Sequence, residues 1–401
     1  MSECLESKGN TPLVNKYRSY STDDLRGLMQ SGTFFPEPFK AEFVITAATP
    51  SISVLHRGTD EYHKAVRQRI NGWLKHWDFP DVRDVVMRLT SEDQQPHESA
   101  LWELYLNSLF RDLGFSVIHE PLALPNGEGE KAESPDFLIE KDGVQFLVEA
   151  VTISREPTQT EKKLWTDLLS YIQKHRRDDF WIGIRPISSS STPPKMKKIL
   201  AQINTYLDSF DPSSQEEISL VDREDFRICV EGWELELHAH SMPEGEPIDV
   251  FVGMWGNLDS GVITDTSDLR SQIEFKRSKY GKDLPHRFII AVLENSFMRG
   301  LDDVHRLGAL FGDWVVNFHV DGTSTNGRKP NGIWNNGKRD AYISGLLLLA
   351  GINIGAEQIR LPEFWTNPYL DNSLHDVFPF SIWKLDGETY SKTSGLDFWN
   401  Q

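Results

Sequence analysis

The stretch SPDFLIEKDGVQFLVEAVTISRE, residues 134–156, constrains the fold more than any other part of the chain. Two apolar segments, DFLIEK and VQFLVEAVTI, flank the pair Asp142-Gly143. An Asp-Gly pair between two such segments is a strong signal for a tight β-hairpin, because both turn residues need positive φ. The stretch therefore predicts two antiparallel strands joined by a two-residue turn.

Helical and extended patterns alternate around this hairpin. Apolar residues recur at helical spacing over about 61–77, 96–113, 160–175 and 193–210, and again in DLRSQIEFKRSKYG. Further strands are predicted at FSVIHEP, DFWIGIRP, VEGWELELHAH and RFIIAVLEN, whereas residues 1 to about 60 look loop-like. The order predicts an α/β fold in which a mixed central β-sheet with a β-hairpin core is flanked by helices.

The same pass predicts three regions. Residues 1–95 form an irregular and helical N-terminal extension, 96–210 form the core with the hairpin, and 211–401 form a C-terminal α/β extension packed on that core. No internal repeat and no low-complexity segment interrupts this order.

Composition excludes several classes of protein. The 401 residues are 39% hydrophobic and include 12 Trp, which argues against disorder. The longest apolar run, about 343–356, is shorter than the roughly 20 residues needed to cross a bilayer. The two cysteines, Cys4 and Cys229, suggest neither a disulfide framework nor a metal knuckle. We therefore expect a cytoplasmic protein without a membrane span.

The net charge of -18 opposes binding to phosphate polymers, since the overall field repels them. Any nucleic-acid surface must therefore be local.

Two carboxylates of the hairpin are the first candidate site. Asp136 begins one strand and Glu149 lies in its partner among apolar neighbours, so the two side chains can meet on one face of the sheet. Adjacent acids need a compensating cation, and carboxylate oxygens suit Mg²⁺ (or Mn²⁺). In the alternative interpretation, Asp136 caps the turn after Pro135 and Glu149 pairs with an arginine or lysine of the next helix.

This order of motifs resembles the PD-(D/E)xK, or restriction-endonuclease-like, nuclease superfamily over roughly residues 96–190. The resemblance consists of the helix HESALWELYLNSLF, the SPDF motif, the hairpin, the VEA motif and the helix and strand that follow. The later stretch SQIEFKRSKYGKDLPHRFIIAV is also similar to the C-terminal half of bacterial proteins that have this core.

The resemblance implies that Asp136, Glu149 and the carbonyl of Ala150 bind the metal. It also implies that an acid of the preceding helix supports them, with Glu98 favoured over Glu103. The chain departs from the pattern at Val151, where the family has a lysine that orients the attacking water and offsets negative charge.

A lysine from another element could replace the missing one. Lys162 and Lys163 open the helix after the hairpin, although both could equally be solvated surface residues. Lys276 is the stronger candidate, because it continues the helical stripe of Leu269, Ile273 and Tyr280. A lysine on an apolar stripe needs a carboxylate partner, and Glu149 or Asp136 could be that partner. Otherwise its ammonium group extends to the helix rim.

Two further sites are weaker candidates. Glu234, Glu236, His238 and His240 alternate along one predicted strand and could bind zinc, although such a pattern is usually the wet face of a strand. The loop DGTSTNGRKPNGIWNNGKRD gathers cations around a tryptophan and could bind a phosphate backbone and stack a base, or be a surface loop. Its candidate nucleic-acid-binding residues are Arg328, Lys329, Trp334, Lys338 and Arg339.

These observations leave three functions open. The first is a metal-dependent nuclease that hydrolyses phosphodiester bonds in DNA, in restriction, defence or repair. The second is a catalytically inactive nuclease fold that binds or regulates, which Val151 and the acidic charge favour. The third is a metal-dependent hydrolase of a small phosphate ester. The sequence is compatible with a homo-oligomer and contains no nucleotide-binding fingerprint.

Overall fold

The computed structural model describes residues 17, 19–35, 51–57, 61–77, 82–121, 134–153, 159–175, 177, 179–188, 192–209, 226–241, 252–254, 266–280, 284–294, 303–318, 323–334, 343–356, 358–370, 377–386 and 389–399. Its helices are α1 (Thr22–Ser31), α2 (Ser51–Arg57), α3 (Glu61–Lys75), α4 (Val82–Leu89), α5 (Gln94–Asp112), α6 (Gln159–Lys174), α7 (Met196–Leu207), α8 (Thr266–Ser278) and α9 (Asp303–Phe311).

The strands are β1 (Ser116–His119), β2 (Phe137–Lys141), β3 (Val144–Ile153), β4 (Phe180–Ser188), β5 (Phe226–Val230), β6 (Trp233–Ser241), β7 (Val252–Met254), β8 (Arg287–Glu294), β9 (Trp314–Phe318), β10 (Ser324–Arg328), β11 (Ile343–Ala350), β12 (Ile359–Arg360), β13 (Glu363–Thr366), β14 (Ile382–Asp386), β15 (Thr389–Thr393) and β16 (Phe398–Trp399). The predicted α/β class with a mixed sheet flanked by helices is confirmed.

The main sheet has eight strands in the order β1-β2-β3-β8-β11-β13-β14-β15. Strands β1, β2 and β3 are antiparallel, whereas β3, β8 and β11 run parallel to one another. The predicted hairpin is present, with Asp142 and Gly143 at φ 53° and 78° in its turn. It supplies the second and third strands, and the two central strands are β8 and β11.

Strand alternation divides the sheet into two buried faces. Phe146 and Val148 of β3 pack in the cluster that contains α1 to α5, whereas Leu147 and Val151 pack in the cluster that contains α8 and α9. Because the central parallel strands are covered on both sides, they read as continuous apolar runs such as FIIAVL. Glu149 is therefore placed on the face covered by α8 and α9.

A second sheet, in the order β5-β6-β4-β7, packs with α6 and α7 around a separate hydrophobic cluster. In the sequence it lies between β3 and β8, which are hydrogen-bonded neighbours in the main sheet. The main sheet therefore combines strands that precede the second sheet in the sequence with strands that follow it. The predicted division at residue 210 does not follow this topology, since β8 and β11 lie at the centre of the main sheet and not in an extension.

The region 1–60 contains helices that the loop-like interpretation missed. Helix α1 begins at a capping box, in which the Ser21 hydroxyl accepts a hydrogen bond from the Asp24 amide and the Asp24 carboxylate accepts one from the Ser21 amide. The pattern Ser-x-x-Asp is a sequence signal for this arrangement. Within the described part of the chain, no helix is long and apolar enough to span a membrane.

Candidate active site

The hairpin register brings Asp136 and Glu149 together. Phe137 pairs with Val148, so Asp136, the residue before β2, lies beside Glu149 on β3. The Asp136 Oδ2 atom accepts a hydrogen bond from the amide of Ala150 at 2.6 Å. This contact fixes one carboxylate against the backbone at the position of the other.

Glu149 is buried, with 2% of its side chain exposed, and both of its oxygens have donors from α8 and the residues after it. The Lys276 Nζ donates to Oε1 at 2.7 Å, and the Tyr280 hydroxyl lies 2.6 Å from Oε2. Lys279 Nζ lies 3.8 Å from Oε1. The carboxylate partner predicted for Lys276 from its helical register is thus Glu149.

The same stripe explains how α8 delivers these groups. Leu269 and Ile273 are fully buried against the sheet, and Lys276 and Tyr280 follow them at spacings of three and four residues. Lys276 stays 22% exposed, so its ammonium group faces both Glu149 and solvent. Val151, which has no charge, packs in the hydrophobic cluster on this face.

The charges in this confined volume shift the pKa values of Asp136 and Lys276. Burial, reinforced by the charges of Glu149 and Glu103, raises the pKa of Asp136 well above that of an ordinary carboxyl group. Burial alone would lower the pKa of Lys276, but the charges of Glu149 and Asp136 outweigh it and raise that pKa. The site therefore holds a lysine that stays charged and an aspartate that readily keeps a proton.

The helix acid near the site is Glu103 rather than Glu98. Glu103 raises the pKa of Asp136 and forms a two-bond ion pair with Arg88, at 2.6 and 2.7 Å. Glu98 is buried and accepts a hydrogen bond from Gln94, one turn earlier on α5. The charge of Glu103, and not that of Glu98, is among those that raise the pKa of Asp136. This favours Glu103 as the helix acid of the site, and the ranking of Glu98 above it stays a prediction.

The other candidate lysine is a surface residue. Lys163 is 76% exposed and forms an ion pair with Asp167, one turn later on α6. Its ammonium group thus lies on the solvated face of α6, as the surface-residue interpretation given above held. The assignment of Lys163 as a catalytic residue is corrected accordingly. The side chain of Lys162 lies outside the described part of the structure.

The candidate nucleic-acid loop also needs correction. Trp334 is 2% exposed and packs on Phe311 in the core, so it has no free face for a base. Arg328 donates to the carbonyl of Gly312 at 2.7 Å and helps to hold this segment together. Lys329 is exposed, whereas Lys338 and Arg339 lie outside the described residues.

The residues proposed for zinc are only partly described. Glu236 is buried, with Oε2 3.9 Å from Arg227 Nε, and Glu234 is half-buried. The side chains of His238 and His240 lie outside the described part. Among the described residues, no group of three or more His, Cys, Asp and Glu side chains is arranged to hold a metal ion.

The donor set at the hairpin nevertheless fits one kind of ion. Asp136 and Glu149 supply carboxylate oxygens, and Mg²⁺ commonly binds through one or two carboxylates with water and substrate oxygens. The Ala150 amide is used by Asp136, and its carbonyl as a ligand stays a prediction.

Compared with known protein families, characterised proteins and solved structures, the chain has no significant match. The resemblance to the nuclease superfamily therefore stays a prediction.

Tyr280 and Lys279 are the site residues that the sequence did not assign. Tyr280 was recognised as part of the apolar stripe, but its hydroxyl lies 2.6 Å from Glu149 and 3.2 Å from the Ser134 carbonyl. A tyrosine at the end of such a stripe, four residues after a lysine, was the available signal. Tyr280, two residues after α8, thereby contacts β3 and the segment that leads into β2.

Proposed function

We propose that the protein is a metal-dependent nuclease that hydrolyses phosphodiester bonds, in DNA, and acts in the cytoplasm. The observation that supports this most is the contact of Lys276 with Glu149 at 2.7 Å beside Asp136. Two carboxylates and a lysine are the groups that the PD-(D/E)xK pattern combines, although here the lysine comes from α8.

Asp136 and Glu149 would hold Mg²⁺ or Mn²⁺. Such an ion, when bound, supplies an activated water and stabilises negative charge on the phosphate. The chain's own contribution starts with orientation, because Tyr280 and the Ala150 amide fix the two carboxylates before any substrate is present.

Lys276 would contribute a preorganised positive charge. Its raised pKa keeps it protonated at neutral pH, and its 22% exposure leaves it within reach of a substrate phosphate. A cation fixed where charge develops stabilises a transition state without reorganisation. Val151 cannot supply this charge.

The inactive, regulatory alternative has one specific observation in its favour. Both oxygens of Glu149 already have protein donors, so an ion must compete with Lys276 and Tyr280 for this carboxylate. If that competition fails, the site is a structural ion pair in a nuclease-like scaffold that binds without cutting.

Metal titration combined with a cleavage assay separates these two functions. The wild type should bind Mg²⁺ or Mn²⁺ in calorimetry and degrade DNA only when the ion is present. Asp136→Ala should lose both properties while remaining folded. Asp112→Ala removes an exposed acid of α5 and should behave as the wild type. Nucleic-acid binding without metal binding or cleavage would favour the regulatory alternative.

A further inference from the structure

Two aromatic side chains on and beside α8 are mostly exposed. Phe275 on α8 is 60% exposed and Trp314 at the start of β9 is 58% exposed. Single exposed apolar residues are common on protein surfaces, so exposure alone does not mark a binding site. These two rings are distinguished by the charges beside them.

Each of these rings has a cation close to it. Lys279 Nζ lies 5.9 Å from the centre of the Phe275 ring, and Arg328 Cζ lies 5.4 Å from the centre of the Trp314 ring. A flat apolar face next to a positive charge matches a nucleotide, whose base can stack while its phosphate is neutralised.

The segment that forms the end of α8 is itself net positive. Between residues 270 and 279, four cations (Arg270, Lys276, Arg277 and Lys279) stand against one acid, Glu274. Arg270 pairs with Asp313 and Lys276 with Glu149, so Arg277 and Lys279 carry most of this excess. This is a reversal of the overall charge of -18. A polyanion repelled by most of the protein would therefore be attracted to α8.

Helix α8 also connects the two rings to the catalytic residues. Arg270 donates to the Asp313 carboxylate at 3.1 Å and to the Gly308 carbonyl at 3.1 Å, and Asp313 precedes Trp314. Phe275 lies five residues after Arg270, about 8 Å along a helix with a 1.5 Å rise per residue. Lys276, which contacts Glu149, is the next residue after Phe275.

We propose that Phe275 and Trp314 are base-stacking positions for a single strand of nucleic acid, which α8 leads towards Glu149. This inference rests on the proposed nuclease function and specifies its substrate as single-stranded DNA or an unpaired end. Bases in an intact duplex are stacked on one another and have no free face for these rings. Unpaired bases have a free face on which a ring can stack.

Fluorescence anisotropy with a labelled single-stranded oligonucleotide in EDTA tests this proposal without cleavage. Phe275→Ala and Trp314→Ala should each weaken binding by roughly 5- to 100-fold, the scale of losing one stacked base. Phe275→Trp and Trp314→Phe should restore most of the affinity, because they keep a ring. Binding of a duplex of the same sequence should be weak and should change less than about 2-fold, as expected if stacking is confined to unpaired bases.

Tyr369→Ala is the matched control, since Tyr369 is also an exposed aromatic, at 51%. It should bind as the wild type does. Single-strand binding that is absent from the wild type, unchanged in both alanine variants, or lost equally for duplex would overturn the proposal.

These outcomes are distinguishable from failure of the nuclease function. If the protein never cleaves with Mg²⁺ or Mn²⁺ but needs both rings to bind a single strand, the stacking proposal stands and the nuclease proposal is wrong. If cleavage continues and the alanine variants bind as the wild type does, the nuclease proposal stands and the stacking proposal is wrong.

Discussion

Glu149 shows how a single carboxylate is accommodated among apolar neighbours. It is flanked by Val148 and Ala150, and an isolated charge there would be costly to bury. Lys276 and Tyr280 supply the donors that offset this cost. The lysine contact was predictable from register, whereas the tyrosine hydroxyl was not, because an apolar stripe does not indicate where one polar atom will point.

Lys276→Met should separate the catalytic role of this lysine from its structural role. Turnover should fall by at least about 100-fold, the scale of losing one preorganised charge. Without metal the variant should also lose about 2 kcal/mol of unfolding free energy, less than the ~3–5 kcal/mol of a fully buried pair. Lys279, 3.8 Å away, offsets part of the lost charge.

Urea unfolding in EDTA and in Mg²⁺ checks this expectation. The ion should stabilise the variant more than the wild type, because Lys276 no longer competes for Glu149. Lys163→Met, on the exposed face of α6, should change neither turnover nor stability. Normal turnover in Lys276→Met would show that Lys276 is not the migrated lysine.

Asp136 should give the stability a defined pH dependence. Its pKa is higher in the folded chain than in the unfolded chain, where it is near ~3.9. The folded state therefore holds the proton more tightly, and this stabilisation is complete below the unfolded value and is lost as pH rises through the folded value.

Asp136→Asn does not titrate and keeps an oxygen that can accept from Ala150. In EDTA, the Tm of the variant minus that of the wild type should increase as pH is raised from about 4 to 8. Differential scanning calorimetry across this range measures it. A difference that is flat with pH would contradict the raised pKa. Saturating Mg²⁺ should reverse the trend, because the neutral amide of the variant binds the ion much more weakly than the carboxylate of the wild type.

Local signals in the sequence predicted the helix and the strands that form the site. The Asp-Gly pair predicted the hairpin, and the spacing of Leu269, Ile273, Lys276 and Tyr280 predicted which face of α8 is buried. Local signals did not decide between Glu98 and Glu103 on α5, because both are buried and the choice depends on how the helix is rotated on the sheet. They misled for Trp334, because loop composition does not show that an aromatic residue packs back into the core.

Gly143→Ala should test how far the hairpin turn fixes the site. Gly143 has φ 78°, a conformation that costs an alanine roughly 1 kcal/mol, so the variant should be destabilised by about that amount. Added strain in the turn should also weaken metal binding, since the register places Asp136 beside Glu149.

Gly27→Ala provides the matched control. Gly27 lies in α1, and an added Cβ would meet no atom within 4 Å beyond its chain neighbours and the helix's own backbone. This variant should gain about 0.5–1 kcal/mol, because alanine is the better helix former. Equal effects of the two substitutions in urea unfolding would show that the turn conformation has no special role.

At the scale of the whole molecule, the sheet could not be derived from the sequence. Strand β3 pairs with β8, although a second sheet with α6 and α7 lies between them in the chain. Periodicity identifies strands and buried faces but not which distant strands pair, because that choice depends on the total packing of both faces. The predicted extension 211–401 therefore supplies the centre of the sheet and, through α8, the lysine of the site.

The distribution of charge over the whole molecule predicts how the binding of a single strand depends on salt concentration. The chain has a net charge of -18, and the described cations near the site are concentrated on α8 and just after it. A single strand bound across α8 and Trp314 would contact phosphates through at most five cations, which are the four of α8 and the residue after it together with Arg328 beside Trp314. With about 0.7 counterions released per phosphate contact, log K against log salt should have a slope of magnitude no greater than ~3.5. Arg277→Gln should reduce this magnitude by about 0.7, whereas Lys163→Gln on α6 should leave it unchanged.

Anisotropy titrations in EDTA over a range of NaCl concentrations measure the slope. A magnitude above about 5 would contradict confinement to α8 and Trp314. Neutralising Lys329, Lys338 and Arg339 together would then show whether the loop that follows β10 makes the remaining phosphate contacts.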